Sequence, residues 1–565
     1  MKMSLVLFFF LISTVVYAKS LPLIFHNNKH FNDRKLYEVL DLYKPYPYEF
    51  YKNAPTLNPK IIPIAIETLK DFYKSKGYYH TSITPKVQKS RIVLNIFEKE
   101  PVKISKITIK SLLNLKDSIP FKVGDIFDAQ KFIKSKKEIK LLYLNHGYAN
   151  AAFDSKAYID IVKESATLVY KVIPNKVCKI KNIKINTPKD IDKKIIKSLL
   201  YFQEGGIYTP LEIKKSYKNL YAYDGISQVV FQSKIYNQDD INVTVNIKET
   251  QKPIRFQIGI GASSDEGAAA SLGIKHRNFY GNLKTFSFTT KVTHIKQSVK
   301  LNFTMPLAQK NVFGNELNFE NEDFFGFKES RVLDKIYFSQ RDEFNWLQEA
   351  LIIDTSHSYA STDKILFPNK NLILLSPKLS WKYDKRDKIL NPSKGFFLDT
   401  QLQGSYLNII SNATYYKALI SGGYILPLQT NILATKIKIG SLHTYAGSIP
   451  NSYRFFAGGM NSNRAYGYRL LGPRDTNNNP VGFNSIIETT IEYRFHIYKN
   501  FNGVIFNDNS FIGQTYIPNN TVGYYDGGFG LRYETPIGPL AIDLGFDPKR
   551  PLEQHALHFH VGELF

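Results

Sequence analysis

The segment from Arg454 to Pro473 combines residue types that suit an ion pair buried inside the protein. Glycine adopts backbone angles that a side chain would forbid, and arginine is a permanent cation whose planar fork of donors fits carboxylates. Burying a guanidinium without a carboxylate partner is costly. We therefore expect a loop that folds back into the protein interior and is held there by these residues: Gly458, Gly459, Arg464, Tyr466 and Gly467.

The sequence contains no motif that indicates catalysis. It has no Gly-x-Ser-x-Gly nucleophile turn, no His-Glu-x-x-His zinc motif and no phosphate-binding P-loop. Cys178 is the single cysteine, so no intramolecular disulfide forms and a zinc site has no basis. His558 and His560 alternate on one strand face, where they could bind a metal, although a polar lining role is favoured. We predict a protein that is not an enzyme and uses no metal or cofactor.

The first residues predict export. Met1 to Met3 are a short basic start, residues 4–16 form an apolar run, and Val16-Tyr17-Ala18 is a small-x-small cleavage signal. This pattern is typical of a secretory signal peptide over residues 1–18. No other stretch approaches about 18 uninterrupted apolar residues, so the mature chain is either soluble or spans a membrane as a β-barrel.

The net charge of +25 is concentrated in the first half of the chain. The first 250 residues carry 41 Lys and Arg against 23 Asp and Glu, an excess of 18 positive charges. Such an excess can attract nucleic acid, anionic lipid head groups or acidic clients, or it can simply reflect solvated lysine-rich faces. The signal peptide argues against nucleic acid, and the other readings stay open.

The chain between Lys19 and Pro253 repeats a pattern about every 70–80 residues. Each repeat ends in a strand of alternating apolar residues, over 91–97, 167–172 and 241–247. Each unit is predicted to run strand, helix, helix, strand, strand, with both helices on one face of a small sheet. An amphipathic helix precedes the final strands, and we expect a glycine to cap it at three positions: Gly77, Gly147 and Gly225.

From about Arg255 the helical periodicity stops and alternating strands begin. One apolar face, one polar face and many aromatic residues are typical of a transmembrane β-barrel. The region 253–565 holds 313 residues, which at roughly 20 residues per strand gives about 16 strands. A soluble β-sandwich would not explain the signal peptide together with a final strand whose apolar residues share one face: Leu557, Phe559, Val561 and Phe565.

The strand-helix-helix-strand-strand order with a helix-Gly-Tyr turn resembles the POTRA domain, and four segments of the second half resemble the BamA/TamA superfamily of outer-membrane assembly and translocation proteins. These segments are Ser263–Gly281, Tyr383–Gly395, the loop around Arg464 and Gly528–Asp543. The resemblance covers nearly all of the mature chain. We predict α+β POTRA repeats followed by an all-β, 16-stranded barrel, with these boundaries: signal peptide 1–18, POTRA repeats 19–100, 101–175 and 176–252, and barrel 253–565.

The resemblance also implies roles for particular residues. The loop would lie in the barrel lumen, with Glu492 and Asp543 as the candidate partners of Arg464. The core of this loop is usually Val-Arg-Gly-Tyr or Val-Arg-Gly-Phe in the family, whereas Ala465 replaces the glycine here. If that position requires a positive φ, alanine would be strained there, unless Gly467 lets the turn shift.

A lateral seam between the first and last strands is a further implication of the resemblance. It would place Arg255–Gly261 beside Leu557–Phe565. Glycines remove side-chain packing from a strand edge, so a weak seam could open and offer its edge to a client strand. The predicted seam residues are Gly259, Gly261, Leu557, Phe559, Val561 and Phe565.

Three POTRA repeats fit a TamA-like member best, because BamA usually has five and two-partner transporters usually have two. This resemblance implies a bacterial outer-membrane protein whose POTRA repeats in the periplasm receive unfolded outer-membrane clients, such as autotransporters, for insertion. It implies contact with outer-membrane lipid and an inner-membrane-anchored, TamB-like partner, with no role for nucleic acid. The alternatives are a BamA-like core assembly factor, a polypeptide translocator and, least favoured, a passive porin.

Overall fold

The computed structural model describes residues 20–563, except 46–52, 238, 366, 409, 430, 519–520 and 537. The predicted signal peptide and Phe565 lie outside the described residues. Two compact units divide the chain, one built on the first two repeats and the other containing the barrel, with the third repeat divided between them. Among the described residues, no helix is both long and apolar enough to cross a membrane.

The first repeat is a four-stranded sheet of order β2-β1-β4-β3 with two helices packed on it. Helix α2 buries one face because Ile62, Ala65, Leu69 and Tyr73 recur every three or four residues. The elements of this repeat are β1 Leu21–His26, α1 Asp33–Val39, β2 Thr56–Leu57, α2 Ile62–Ser75, β3 Ser82–Val87 and β4 Ile92–Phe97.

The second repeat is a three-stranded sheet of order β5-β7-β6. A single 3-10 turn, Lys116–Ser118, stands where the repeat pattern places a first helix. Its elements are β5 Lys103–Lys110, α3 Ala129–Asn145, β6 Ala152–Asp160 and β7 Ser165–Ile173.

The third repeat has strand order β8-β10-β9 and two helices. Its elements are β8 Lys179–Asn186, α4 Lys193–Ser198, α5 Pro210–Tyr221, β9 Ile226–Ile235 and β10 Asp240–Glu249.

The glycine turns differ between the repeats. Gly77 and Gly147 have φ of +92° and +87° and directly follow the last turns of α2 and α3, as expected for left-handed caps. The prediction for Gly225 was wrong, since α5 ends at Tyr221 and Gly225 has no positive φ. A Cβ at Gly225 would lie 2.6 Å from the carbonyl oxygen of Arg277, so glycine is needed there for close contact with a barrel turn.

The barrel is a single antiparallel sheet in which neighbours along the chain are neighbours in space, from β11 to β27. Its strands are β11 Ile254–Ser263, β12 Gly267–His276, β13 Thr285–Thr293, β14 Lys296–Pro306, β15 Asn311–Asp323, β16 Lys328–Arg341, β17 Asn345–Tyr359, β18 Asn371–Asp384, β19 Gly395–Ser405, β20 Ala413–Leu428, β21 Asn431–Gly447, β22 Ser485–Tyr498, β23 Phe501–Gly513, β24 Val522–Tyr525, β25 Gly527–Tyr533, β26 Leu540–Phe546 and β27 His555–Val561.

Sixteen strands form this barrel, because β24 and β25 are two halves of one strand. Both pair with β23, and only Asp526 separates them. The predicted fold class, POTRA-like repeats followed by a 16-stranded barrel, is confirmed. The third repeat contacts the turns at one end of the barrel, where Asp224 pairs with Lys275 at 2.6 Å and Lys218 with Glu343 at 2.8 Å.

Candidate functional site

The loop of residues 448–484 joins β21 to β22 and folds back into the lumen. Turns of an antiparallel barrel alternate between its two ends, so this loop starts at the end opposite the turns that contact the third repeat. Its aromatic and aliphatic side chains are buried against the inner wall rather than exposed to solvent: Tyr453, Phe455, Ala457, Ala465, Tyr466, Leu471 and Phe483.

Arg464 is fully buried at the centre of this loop. Its Nε and Nη2 donate to both oxygens of Asp508 at 2.7 and 3.0 Å, and its Nη1 donates to Glu492 at 2.7 Å and to Asp543 at 3.1 Å. The guanidinium also lies over the Phe506 ring, 3.4 Å from its centroid. The structure thus brings Arg464 together with both predicted partners, and adds a bidentate pair with Asp508 that the sequence reasoning missed.

Two further arginines of the wall surround this centre. Arg494 donates to Glu492 at 2.8 Å, and Arg532 pairs with Asp543 and with Glu563, the latter at 3.1 Å. Every carboxylate that Arg464 contacts therefore belongs to a network on the inner faces of β22, β23 and β26. Such a network compensates the desolvation of its charges only while all members are in place.

Asp526 explains why one wall strand is interrupted. Its carboxylate accepts from the backbone N–H of Ala465 in the loop and of Asp508 in the wall, both at 2.8 Å. The side-chain amide of Asn507 donates to the Asp526 carbonyl at 2.5 Å. The break in the ladder thus places a further carboxylate under the loop tip, and the outward-facing amide of Asn507 satisfies the backbone oxygen that the break exposes.

The glycine pair has the backbone geometry that its residue type suggests. Gly458 and Gly459 have φ of +96° and +104°, whereas Gly467 is outside the left-handed region. Ala465 also lacks a positive φ and is fully buried, so alanine is not strained at this position. The backbone strain that a positive φ would have caused at Ala465 is therefore absent.

Close packing of the loop tip on the wall depends on a glycine of the wall. A Cβ at Gly545 would lie 2.4 Å from the carbonyl carbon and oxygen of Arg464 and 2.8 Å from the nitrogen of Ala465. Tyr466 extends the same contact, with its ring edge-on to Tyr524 at 5.9 Å.

Two additional contact points hold the loop on other parts of the wall. Tyr453 donates to Asp354 on β17 at 2.7 Å, and the neighbouring Ser452 donates to Glu329 on β16. Arg469 donates to Glu322 at the end of β15 at 2.8 Å. The loop therefore bridges opposite regions of the barrel wall through buried or half-buried charges.

The first and last strands come close without forming a ladder. In the described part of the barrel the strand order runs from β11 to β27, and no strand pairing joins these two. One long backbone hydrogen bond, from the Ser264 N–H to the Phe559 carbonyl oxygen at 3.4 Å, crosses the gap. On β11, Gly259 and Gly261 pair with β12 through Ser271 and Ala269.

The apolar residues of the last strand point outward. Leu557, Phe559 and Val561 are 64, 41 and 50% exposed, as suits side chains that face lipid on one side of a strand. Phe565, the remaining predicted seam residue, is outside the described residues.

His558 connects the seam to the loop, although the sequence offered no more than a polar lining role for it. Its Nδ1 lies 2.9 Å from the Ser264 hydroxyl in the first hairpin, and its Nε2 lies 3.0 Å from the carbonyl oxygen of Arg464. Asp265, also in the first hairpin, accepts from the backbone N–H of Met460 at 3.1 Å. The loop tip thus lies across the seam and contacts both of its sides.

The charged side chains of this site are paired with one another. The signal for Asp508 and Asp526 was present in the sequence as acidic residues within the alternating strands after the loop. That both residues meet the loop tip depends on the register between β22, β23 and β25, and the alternation of apolar and polar residues does not determine this register.

Fold and site together define an outer-membrane β-barrel preceded by periplasmic repeats and filled by an inward loop. The profile of the Omp85 superfamily domain matches residues 278–565, and the profile of the POTRA repeat, described as a surface antigen variable number repeat, matches residues 22–110, 100–175 and 178–250. The chain belongs to the Omp85 superfamily. The predicted membership of the BamA/TamA group and the predicted location, the bacterial outer membrane with POTRA domains in the periplasm, are confirmed.

Curated relatives align with most of this chain at low identity. The chain is 21% identical over 571 residues to the outer membrane protein assembly factor BamA of Nitratidesulfovibrio vulgaris, covering 95% of this chain and 72% of the relative. It is 20% identical over 504 residues to BamA of Neisseria meningitidis serogroup B, covering 81% of this chain and 62% of the relative. It therefore spans only part of the length of these proteins.

A solved structure shares the fold. The crystal structure of BamA from Haemophilus ducreyi lacking POTRA domains 1–3 superposes with a TM-score of 0.62 at 16% identity, covering 82% of this chain and 99% of that one. At this identity the likeness supports the fold alone.

Proposed function

We propose that this chain is an outer-membrane protein assembly factor that receives unfolded clients at its POTRA repeats and inserts them into the membrane through the seam. The similarity to two proteins named BamA supports this class of activity. The protein acts by positioning strand edges and performs no covalent chemistry, so it is proposed not to be an enzyme.

The observation that carries the proposal is the missing ladder between β11 and β27. An unpaired strand edge presents a row of free N–H and C=O groups to another chain. A client strand can pair with that edge by β-augmentation while its outward side chains meet lipid. Ile258 and Ile260 on β11 are 79 and 90% exposed, which supports a strand that lacks a neighbour on one side.

At a finer level, we propose a TamA-like insertase that assembles clients such as autotransporters together with an inner-membrane-anchored, TamB-like partner. Three POTRA matches support this assignment. A BamA-like core factor differs from it in being essential for viability. Deletion of the gene in its own host therefore separates the two, and an inviable deletion strain would favour the core factor.

A crosslinked seam tests the mechanism directly. Cysteines at Ser264 and His558 replace side chains that contact each other across the gap at 2.9 Å, and the resulting disulfide should hold the seam shut. The full chain is reconstituted in liposomes, and folding of an unfolded autotransporter barrel is followed with the variant oxidised and then reduced. The variant is made in a Cys178→Ser background, and both states carry the same substitutions, so any difference between them reports the crosslink alone.

We expect the reduced variant to accelerate client folding and the oxidised variant to lose that acceleration. Equal acceleration in both states would exclude lateral opening. Export of an extended polypeptide into the liposomes without acceleration of folding would favour the translocator. A large and steady ion conductance in both states, with neither activity, would favour the porin.

A further inference from the structure

Asp334 on β16 occupies an unusual position, since it faces the lipid. It pairs in register with Leu317 on β15 and Ile353 on β17, and directly opposed residues of neighbouring strands share one face of a sheet. Ile353 is 42% exposed on the outer wall. The neighbours along its own strand, Val332 and Ile336, are 39 and 44% exposed on the same face. A carboxylate therefore lies within the apolar outer band of the barrel.

The inner face of the same strands provides a contrast. Glu316 and Lys335, one residue along each strand, point into the lumen and pair with each other at 3.2 Å. Outward, the side-chain amide of Asn315 donates to Asp334 at 2.6 Å. Within the described chain, no side-chain nitrogen of a lysine, arginine or histidine lies within 4.0 Å of the Asp334 carboxylate oxygens. The lumen carboxylate is thus neutralised by a cation, whereas the lipid-facing carboxylate has a neutral donor.

A groove of about 860 Å³ crosses the outer wall next to Asp334. Its floor is the next row of outward residues, in which Phe319 and Val332 pair in register and Val332 also pairs with Thr355. Successive outward residues on one strand are about 7 Å apart, so the carboxylate is at the margin of the groove. Toward the end of the barrel away from the third repeat, the groove ends in polar groups: Gln297, Asn321, Ser330, His357 and Asn371.

An ionisable residue on a lipid-facing strand destabilises a barrel unless a partner compensates it. The complement of an anionic group in hydrocarbon is a cationic side chain brought by another membrane-embedded segment, since a lysine or arginine stem can span several ångströms from the groove. A second copy of this chain would oppose one Asp334 to another and is disfavoured by like charge. The apolar floor fits a membrane-spanning segment.

We propose that the outer wall of β13 to β18 is a docking surface for a membrane-spanning segment of another protein, which places a lysine or arginine against Asp334. The segment lies in the groove, and its cation completes the Asn315–Asp334 pair. This surface is separate from the seam, so the docked protein leaves the seam free for clients.

Photo-crosslinking in native outer membranes tests the partner. A benzophenone side chain replaces Val332, on the floor of the groove and two residues from Asp334, in the otherwise unchanged chain and in the Asp334→Asn variant. A matched control carries it at Ile439, which is 39% exposed on the outer wall of β21. We expect a protein adduct at residue 332 whose crosslinked peptide is membrane-spanning and contains a lysine or arginine, and at least a fivefold loss of this adduct in Asp334→Asn. Adducts to lipid alone, adducts insensitive to Asp334, or the same adduct at residue 439 would overturn the proposal.

The stability of the purified protein in detergent separates docking from an internal structural role. A carboxylate kept for an external partner is a liability to the isolated barrel, so Asp334→Leu should raise the urea midpoint of barrel unfolding. A lowered midpoint would mean that Asp334 stabilises its own barrel, and would overturn the proposal.

Discussion

At the residue scale, Arg464 connects the loop to the wall more tightly than a single ion pair could. It makes a bidentate pair with Asp508, contacts Glu492 and Asp543, and stacks on Phe506. The planar guanidinium satisfies all these contacts at once, and an ammonium group has neither the fork nor the flat face to do so.

Replacing Arg464 with alanine should leave a folded barrel with an unseated loop. The change leaves buried carboxylates without their shared cation, and breaking a buried pair in this way costs about 3–5 kcal/mol. We expect trypsin to cut after Arg469 and Arg474 in the variant, with assembly activity largely lost. Retention of the heat-modifiable band in gel electrophoresis would establish that the barrel has folded, and full activity in complementation would contradict the prediction. Arg464→Lys should not restore the wild-type protection.

Gly545→Ala should displace the loop tip without touching any charge. The added Cβ would meet the backbone of Arg464 at 2.4 Å, and overpacking of this kind costs about 1–3 kcal/mol. Loop proteolysis and client folding are the measurements. Gly273→Ala on β12 is the matched control, because a Cβ there would meet its neighbours at 3.5 Å or more, which is ordinary van der Waals contact. Equal behaviour of the two variants would show that the close contact is unimportant.

At the element scale, the loop supplies some of the contacts across the seam that a strand ladder would otherwise supply. Met460 contacts the first hairpin through Asp265, and the carbonyl of Arg464 contacts the last strand through His558. Opening the seam must therefore disturb at least one end of the loop tip. The break at Asp526 belongs to the same arrangement, because it aims a carboxylate at the loop.

Asp265→Ala should loosen the seam where the loop contacts the first hairpin. The substitution removes the acceptor of the Met460 N–H while leaving the ion pairs of Arg464 intact. Spin labels at Ile260 and Leu557, introduced in a Cys178→Ser background, should report a broader distance distribution with a longer component by pulsed electron paramagnetic resonance. Glu266→Gln, in the adjacent and more exposed pair with Lys291, should change little. A distance distribution identical to that of the wild type would mean that the contact between Asp265 and Met460 does not hold the seam.

At the scale of the whole molecule, the barrel is a sheet of uneven strength. The strands β20 and β21 are sixteen and seventeen residues long, and each has neighbours on both sides. The strand β11 has a ladder on one side only. This barrel therefore has one weak line, between β11 and β27, in the part of the chain that the structure describes.

Hydrogen exchange should reveal this asymmetry. Amides of β11 that point toward the seam lack a ladder partner, so they should exchange faster than those of β20 in the same sample. Peptide-level mass spectrometry on protein in lipid nanodiscs is the measurement. Equal protection of the two strands would mean that the seam is closed by pairing in the membrane, which would remove the main support for lateral insertion.

Much of the architecture could be predicted because it depends on local patterns. Period-two alternation predicted the barrel strands, the length of the region predicted their number, and amphipathic helices with Gly77 and Gly147 predicted the first two repeats. The prediction that Gly225 caps a helix was wrong. Its spacing matches that of a cap, but glycine is needed there because the backbone lies close to Arg277, which is distant in sequence. The shortened first helix of the second repeat has no clear signal in the sequence.

The sequence by itself determined the repeats, the alternating strands and the need of Arg464 for buried carboxylates, since each follows from side-chain type and local spacing. The tertiary structure alone decided which carboxylates converge, that His558 and Asp265 contact the loop across the seam, and that Asp334 faces lipid. These facts depend on strand register, and a shift of one residue would exchange the inner and outer faces of a strand. Register is fixed by contacts among distant segments, so no local pattern contains it.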